Sequence, residues 1–205
     1  QALEAGWNGY EEMRLDFEHA PKYGNNDSYV DEIMARWFAD FCAIVDSKQT
    51  IYGHPLIPTG ISITSHQPGG ELTGATPDGR RAHEILADGS VSPMHGMDTC
   101  GPTCVMSSAM KINQDPFQAT LMNMKFTPSA LKTDEDLKKL SSLIRTYLTH
   151  GGKHVQFNVV DRETLEAAKK NPKEYRELIV RIAGYSAYFV QLNAQMQDEV
   201  IERME

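Results

Sequence analysis

Cysteine is scarce in this chain, with 3 residues in 205, so a disulfide framework is excluded as a source of stability. The low, odd count indicates a reducing, cytoplasmic compartment. No apolar run approaches the roughly 18 residues of a membrane span, and the N-terminus lacks the charged-then-apolar order of a signal peptide. Positive charge is also in deficit, with 20 Lys and Arg against 28 Asp and Glu. Nucleic acid and membrane are therefore not expected as partners.

Several familiar chemical motifs are missing as well. A metal pair at Cys100 and Cys104 is a weak alternative, because two thiols without further ligands do not close a tetrahedral zinc site. His150 and His154 are four residues apart, but the two glycines between them interrupt the helix that would align them. No phosphate-binding glycine-rich motif and no nucleophile elbow occurs. We expect no metal.

The residues that are present suit one α/β domain. Hydrophobic residues make up 40% and charged residues 23% of the chain, values ordinary for a globular protein. Helical and strand patterns alternate, which predicts an α/β fold with parallel strand pairs. The predicted helices cover residues 28–47, 103–112, 162–170 and 194–204, with another that begins at Thr133 and ends at Gly151-Gly152. The predicted strands cover residues 57–65, 120–126, 155–160 and 179–182.

Two of these helices carry an apolar stripe, with apolar residues at steps of three and four. The first stripe is Val30, Ile33, Met34, Trp37, Phe38, Phe41 and Ile44, and Ser28 is its candidate N-cap. The second stripe is Leu137, Leu140, Ile144, Tyr147 and Leu148. Residues 67–102 are rich in Gly, Pro and Asp and predict a long ordered loop, a kind of segment that is often functional.

The most informative stretch is residues 181–189, RIAGYSAYF, which we expect to place Gly184 in a tight apolar setting just before the final helix. Glycine has no Cβ, so another backbone or a reactive atom can come close to it. Its Cα–H bond can also break homolytically to leave a planar radical shared between the flanking amide nitrogen and carbonyl. Taken alone, the stretch is explained more simply as a strand end followed by a glycine turn.

Longer blocks favour the radical interpretation over the turn. They are APKYGNNDSYVDEI at residues 20–33, GATPDGRRAHEILADGSVSP at residues 74–93, DTCGPTCVMSSAMK at residues 98–111, and the run from HVQFNVVDRETL to the glycine stretch at residues 154–189. In this order the blocks resemble the C-terminal, radical-bearing portion of glycyl radical enzymes, the pyruvate formate-lyase-like superfamily. That family's signature is roughly Arg-(Val/Ile)-X-Gly-Tyr followed by aromatic or apolar residues.

The resemblance implies a chemistry for the glycine loop. Gly184 would carry the radical, and Arg181 and Tyr185 would position the loop. A partner, the activating enzyme, would remove the hydrogen with S-adenosylmethionine and an iron–sulfur cluster, so the glycyl radical is the only cofactor expected in this chain. In the family the radical then passes to a cysteine on a separate Gly-Cys loop. None of the three cysteines here lies in that context, so we expect the relay cysteine elsewhere and this chain alone to be inactive.

The resemblance also implies the architecture: the C-terminal part of a ten-stranded β/α barrel with the radical loop inserted toward its centre. Residues 1–50 would be a helical segment of the barrel surround. Residues 51–205 would supply barrel strands and the glycine radical domain, with its loop at residues 181–189. The start at Gln1 suggests a piece of a longer polypeptide, whose N-terminal portion, or a partner chain, would carry the cysteine and cover open strand edges. A homo-oligomer is expected.

One predicted strand offers candidate substrate contacts. Because side chains alternate along a strand, one face of residues 57–65 would look into the barrel where family substrates bind. Ile61, Ile63 and Thr64 are the candidates, with core packing as the alternative for each isoleucine.

Several functions remain open within this family. The block wording is similar to the arylacetate decarboxylase, diol dehydratase and sulfite-lyase branches, which predicts a lyase acting on a small organic substrate. A synthase that adds a radical to fumarate is an alternative. Another is an autonomous radical-carrier subunit that replaces a damaged glycine loop, although such carriers hold little upstream of the terminal region. A binding module that uses only the fold would require a lost signature, and the signature is intact.

Overall fold

The computed structural model describes residues 1–182 and 184–202 and shows a mixed helix and strand chain, as predicted. The helices are α1 Glu11–His19, α2 Ser28–Asp46, α3 His66–Leu72, α4 Pro102–Met110, α5 Asp134–Thr149, α6 Arg162–Lys170 and α7 Ala194–Glu202. The strands are β1 Asn123–Phe126, β2 Gln156–Val159, β3 Ile179–Arg181 and β4 Ser186–Tyr188. Short 3-10 turns cover Pro128–Leu131 and Phe189–Gln191. The predicted extension of the last helix to residue 204 lies outside the described residues.

The strands form two small sheets of opposite kind. β1 and β2 pair in parallel, with Asn123 opposite Gln156, and α5 lies in the crossover between them, as parallel pairing requires. β3 and β4 pair antiparallel as a hairpin, with Arg181 opposite Ser186. The predicted parallel pairing is therefore confirmed for the first sheet. The second sheet contains the glycine stretch.

The strand predicted at residues 57–65 is wrong over most of its length. Its regular pairing is one parallel bridge, between Gly60 and Thr120. Ile63 has φ +53, a left-handed value that is unfavourable for a β-branched residue. The chain therefore turns there, and α3 begins directly after it. The long loop predicted at residues 67–102 likewise contains most of that helix.

Helix bounds follow their capping signals closely. α2 begins as predicted, but its N-cap is Asp27, whose side chain accepts a hydrogen bond from the Tyr29 amide at 2.9 Å, and not Ser28. Thr133 caps α5 through a reciprocal capping box with Asp136. Asp161 caps α6, its carboxylate accepting from the Thr164 amide at 2.7 Å. Local side-chain chemistry thus decides where these helices begin.

Apolar residues gather into two clusters, to which the consecutive residues Leu121 and Met122 contribute one each. The hairpin cluster comprises Leu121, Val160, Leu165, Ala168, Val180, Ile182, Phe189, Met196, Val200 and Ile201. The β1 cluster comprises Val91, Val105, Met106, Ala109, Ile112, Met122, Met124 and Tyr147. Much of the two predicted stripes is exposed in this chain: Trp37 to 69%, Ile44 to 61% and Leu137 to 50%. Periodicity identified apolar helix faces, but it did not show what covers them.

A buried polar contact joins the last helix to α3. His66 Nε2 lies 2.8 Å from Glu199 Oε1, and both side chains are about 1% exposed. α7 is thereby fixed against the middle of the chain. None of the described helices has the length and hydropathy needed to cross a bilayer.

Candidate functional site at the glycine hairpin

Gly184 lies at the tip of the β3–β4 hairpin. The Ile182 amide donates a hydrogen bond to the Tyr185 carbonyl at 3.0 Å and closes the tip. Gly184 itself has φ +83, a left-handed conformation that glycine adopts without the cost a Cβ imposes. The turn therefore requires glycine at this position for its backbone angle alone.

The surroundings of Gly184 differ from the tight apolar setting that the sequence predicts. The residue is exposed in this chain, and a Cβ added to it would meet one neighbour, Leu121 Cδ1, at an ordinary 3.7 Å. Leu121 is 2% exposed and forms the apolar floor beneath the tip. An added methyl would therefore not crowd the site in this chain. The obstacle to substitution is the positive φ.

A single buried carboxamide, that of Gln156 on β2, contacts the hairpin on both sides of the glycine. Its Oε1 accepts from the Gly184 amide at 3.2 Å, and its Nε2 donates to the Ile182 carbonyl at 3.0 Å. The same Oε1 accepts from Arg181 Nε at 3.2 Å. Nε2 also donates to the Asn123 side chain. Gln156 is 6% exposed, so these bonds form away from bulk water.

A second carboxamide repeats this arrangement two residues further along β2. Asn158 Nδ2 donates to the Arg181 carbonyl at 2.7 Å, and its Oδ1 accepts from the Arg181 amide at 2.7 Å. Residues 156 and 158 share one face of β2 because side chains alternate along a strand. The hairpin is thus joined to β2 by side chains that imitate the donor and acceptor of a neighbouring strand.

Arg181 and Tyr185 flank the glycine as the sequence suggests, in different ways. Arg181 braces the hairpin, because its Nη1 donates to Ser186 Oγ at 3.0 Å while its Nε contacts Gln156. Tyr185 contributes its main-chain carbonyl to the tip, and its side chain is 38% exposed. Sequence reasoning missed Gln156 and Asn158. The signal for them was two carboxamides, two residues apart, within an otherwise apolar predicted strand.

His154 lies near Arg181, just before β2. Burial, and then the positive charge of Arg181, lower the pKa of His154 below its ordinary value of 6.5. The imidazole is therefore neutral at neutral pH. His154 therefore does not add a second positive charge beside Arg181.

A cavity of about 440 Å³ lies beside β1 and β2. Its polar walls come from the inner face of β1 and β2 and from the loop before α4: Asp88, Ser92, His95, Asp98, Asn123, Lys125 and Asn158. Burial raises the pKa of the Asp98 carboxyl, with the charge of Lys125 acting in the opposite direction. Asn158 both lines this cavity and holds the hairpin, so the two features share a wall.

The candidate substrate residues lie apart from the hairpin bonds described above. Ile61 is 45% exposed and Ile63 is 55% exposed, and Thr64 is half-buried in the turn before α3. The neighbouring Ser62 hydroxyl donates to the Asp88 carbonyl at 2.9 Å. The turn is therefore tied to a residue that also lines the cavity.

The cysteines are free and scattered. Cys42 and Cys104 are half-buried and Cys100 is exposed. Burial raises the pKa of the Cys42 thiol, which disfavours the reactive thiolate. Within residues 1–182 and 184–202, no group of three or more His, Cys, Asp or Glu side chains could hold a metal ion.

The chain is mixed α/β and presents a positive-φ glycine at the tip of a hairpin. The candidate site is therefore centred on the main chain and not on a side chain. Comparison with known proteins identifies the family. The model described as glycine radical matches residues 87–190, and that described as pyruvate formate lyase-like matches residues 1–70. The chain belongs to the glycine radical family, which confirms the resemblance drawn from its motifs.

Relatives from three kinds of lyase are similar to this chain. It is 42% identical over 196 residues to indoleacetate decarboxylase of Tractidigestivibacter scatoligenes, a match that covers 96% of this chain and 22% of the relative. It is 41% identical over 214 residues to isethionate sulfite-lyase of Oleidesulfovibrio alaskensis, covering 99% and 25%. The glycerol-bound B12-independent glycerol dehydratase of Clostridium butyricum superposes with a TM-score of 0.94 at 42% identity, covering 98% and 26%. The chain thus spans about a quarter of the length of these relatives.

The residues at the hairpin fit the group that the family carries. A glycyl radical needs a Cα without a side chain and a peptide held in place. Gly184 has the first, and its amide is held by Gln156 at 3.2 Å. The radical would be formed on the main chain of this residue.

Proposed function

We propose that this chain is the radical-bearing C-terminal part of a glycyl radical lyase and stores its radical on Gly184. The observation that carries the proposal is the positive-φ glycine at the hairpin tip, inside the segment that matches the glycine radical family. Arg181 and Tyr185 hold the loop, the first through its guanidinium and the second through its main chain. The relay cysteine lies on an upstream segment or a partner chain.

The chemistry supplied by the radical is hydrogen-atom transfer, which starts cleavage of a C–C or C–heteroatom bond in a small organic substrate. The decarboxylase, sulfite-lyase and dehydratase relatives support such a substrate class. This chain's own contribution is to hold the Gly184 peptide still and to close one side of the site. Ile61, Ile63 and Thr64 contact the substrate in this proposal. Their exposure leaves both isoleucine side chains accessible to a bound molecule.

The same proposal covers the architecture. Two pairings support this architecture: the parallel β1–β2 pair and the parallel bridge between Gly60 and Thr120. Together they are consistent with three neighbouring strands of a ten-stranded β/α barrel. Residues 1–50 form a helical segment of the barrel surround, and residues 51–205 supply barrel strands and the radical domain. The exposed apolar faces of α2 and α5 then pack against the rest of the enzyme.

The partners follow from the chemistry. A radical S-adenosylmethionine activating enzyme removes the hydrogen from Gly184. The enzyme is a cytoplasmic homo-oligomer in this proposal.

The test is cleavage of the main chain by oxygen. The complete polypeptide that contains this chain is activated anaerobically, exposed to air and analysed by mass spectrometry. A main-chain break at Gly184, absent without activation and absent in Gly184→Ala, is the expected result. Intact polypeptide after air exposure of verified, activated material would overturn the proposal.

A further inference from the structure

We propose that Gln156 is a positioning residue that fixes the Gly184 peptide for radical storage, an inference that rests on the proposed function. Its carboxamide accepts from the Gly184 amide at 3.2 Å and donates to the Ile182 carbonyl at 3.0 Å. One planar group therefore contacts main-chain atoms on both sides of the tip. A shift of the tip in either direction would lengthen one of the two bonds.

The carboxamide is itself held in one orientation. A glutamine side chain has two donor hydrogens and two acceptor lone pairs. Here the hydrogens go to Ile182 and Asn123, and the lone pairs go to Gly184 and Arg181. A flipped amide would place its NH₂ group against two N–H donors. At 6% exposure, water could not readily replace the lost bonds.

This geometry acts on the atoms that share the unpaired electron. A glycine radical is stabilised when the adjacent nitrogen donates electron density and the carbonyl withdraws it. An acceptor on the Gly184 N–H favours that donation, and it also fixes the plane of the peptide. Gln156 thus touches the electronic system at its nitrogen end. A residue that only filled space beneath the hairpin would have no such contact.

The chain contains a matched control at Gln114. This carboxamide is 2% exposed and is also fully engaged, with bonds to Ala109, Thr120, Tyr147 and Lys153. Its partners belong to the β1 side of the molecule. Replacing Gln114 therefore removes an equally buried carboxamide without touching the glycine.

The experiment compares Gln156→Met, Gln156→Glu and Gln114→Met in the complete activated enzyme. Electron paramagnetic and electron–nuclear double resonance measure radical yield and the couplings to the ¹⁵N-labelled Gly184 amide and its exchangeable proton. We expect altered couplings and a several-fold lower yield in Gln156→Met. Gln156→Glu retains an oxygen acceptor for the Gly184 amide but loses the donor to the Ile182 carbonyl, so its couplings should change less than those of Gln156→Met. Gln114→Met leaves both couplings unchanged.

Three results would overturn the inference. The first is that Gln156→Met has the same couplings as the unmodified enzyme. The second is that Gln156→Met and Gln114→Met change the couplings equally. The third is that Gln156→Glu alters the couplings as much as Gln156→Met does. If Gln156→Met does not fold, the unmodified enzyme is instead prepared with glutamine labelled with ¹³C at Cδ, and the coupling of that carbon to the radical is measured. A resolved coupling of that carbon to the radical is then expected, and its absence rejects the inference. A missing radical signal in the unmodified enzyme would instead reject the proposed function.

Discussion

The two small sheets of this molecule are held together by different means. β1 and β2 are joined by a parallel main-chain ladder over four residue pairs, which depends little on which side chains the strands carry. The β3–β4 hairpin is joined to β2 through the carboxamides of Gln156 and Asn158. The β1–β2 pairing should therefore tolerate side-chain substitutions, whereas the attachment of the hairpin to β2 depends on Gln156 and Asn158.

The hairpin has two unlike faces. Val180 and Ile182 are almost fully buried over α6 and α7, whereas Ile179 and Tyr188 are 57% and 43% exposed. The buried apolar side chains hold the hairpin against α6 and α7, and the carboxamides of Gln156 and Asn158 fix its position along β2. Substitutions that remove one set of contacts and keep the other can therefore distinguish the two roles.

The largest effect is expected for Gly184→Ala. The substitution removes the proposed radical site and places a Cβ at φ +83, at a cost of about 1–2 kcal/mol. No glycyl radical should form after activation, as measured by electron paramagnetic resonance. Gly151→Ala is the control, since Gly151 has φ +94 and open space around it at the end of α5. It should cost similar stability and keep the radical. A full radical signal in Gly184→Ala would contradict the assignment.

Next in size is Asn158→Ala, which leaves the Arg181 amide and carbonyl without their partner. Leaving these two main-chain groups without a hydrogen-bond partner should lower the free energy of unfolding by about 1–3 kcal/mol. Native-state hydrogen exchange should show faster exchange at the Arg181 amide, whereas the Gln156 amide, bonded to the Met122 carbonyl at 3.0 Å, stays protected.

The control for this change is Asn25→Ala. The Asn25 carboxamide also bonds main chain on two sides, to the Met97 carbonyl at 2.7 Å and the Cys100 amide at 3.0 Å. It lies away from the hairpin, so Arg181 exchange should be unaffected. Equal exchange at Arg181 in both variants would show that Asn158 does not hold the hairpin.

A smaller effect distinguishes two helix caps. Asp161→Ala and Thr133→Ala each remove an N-cap and should each cost roughly 1 kcal/mol. α6 packs in the hairpin cluster through Leu165 and Ala168, so only Asp161→Ala should also raise exchange in β3. Raised β3 exchange in Thr133→Ala would show that the two regions are not separable.

The smallest effect concerns pH. The pKa of His154 is lowered in the folded state by burial and by Arg181, so the unfolded chain binds the proton more readily. The stabilisation is complete above about pH 6.5, the unperturbed histidine value, and is lost as pH falls below it. His154→Gln should flatten this part of the curve of unfolding free energy against pH. A His154→Gln curve that falls as steeply there as that of the unmodified protein would exclude His154 as the origin.

Local signals in the sequence predicted much of the fold. The bounds of α6, the start of α2 and the Thr133 cap of α5 all depend on residues within a few positions of one another. The strand at residues 57–65 failed because β-branched content indicates extended backbone without supplying a pairing partner. One bridge and the positive φ of Ile63 are found instead.

The motif singled out Gly184 as a candidate, but it did not indicate which residues hold the hairpin tip in place. Gln156 and Asn158 meet residues 23 to 28 positions away, and no local pattern encodes that meeting. The tight apolar setting was inferred from neighbours in sequence. In the structure, the apolar side chains beside the glycine divide between a buried face and an exposed one.

The most direct test of the central claim is the electron paramagnetic resonance spectrum of the complete, anaerobically activated enzyme. A storage radical on Gly184 predicts a doublet that collapses to a singlet when the protein is made with glycine deuterated at Cα. A doublet that persists unchanged with the deuterated glycine, or a silent spectrum from material that a competent activating enzyme has treated, would contradict the account.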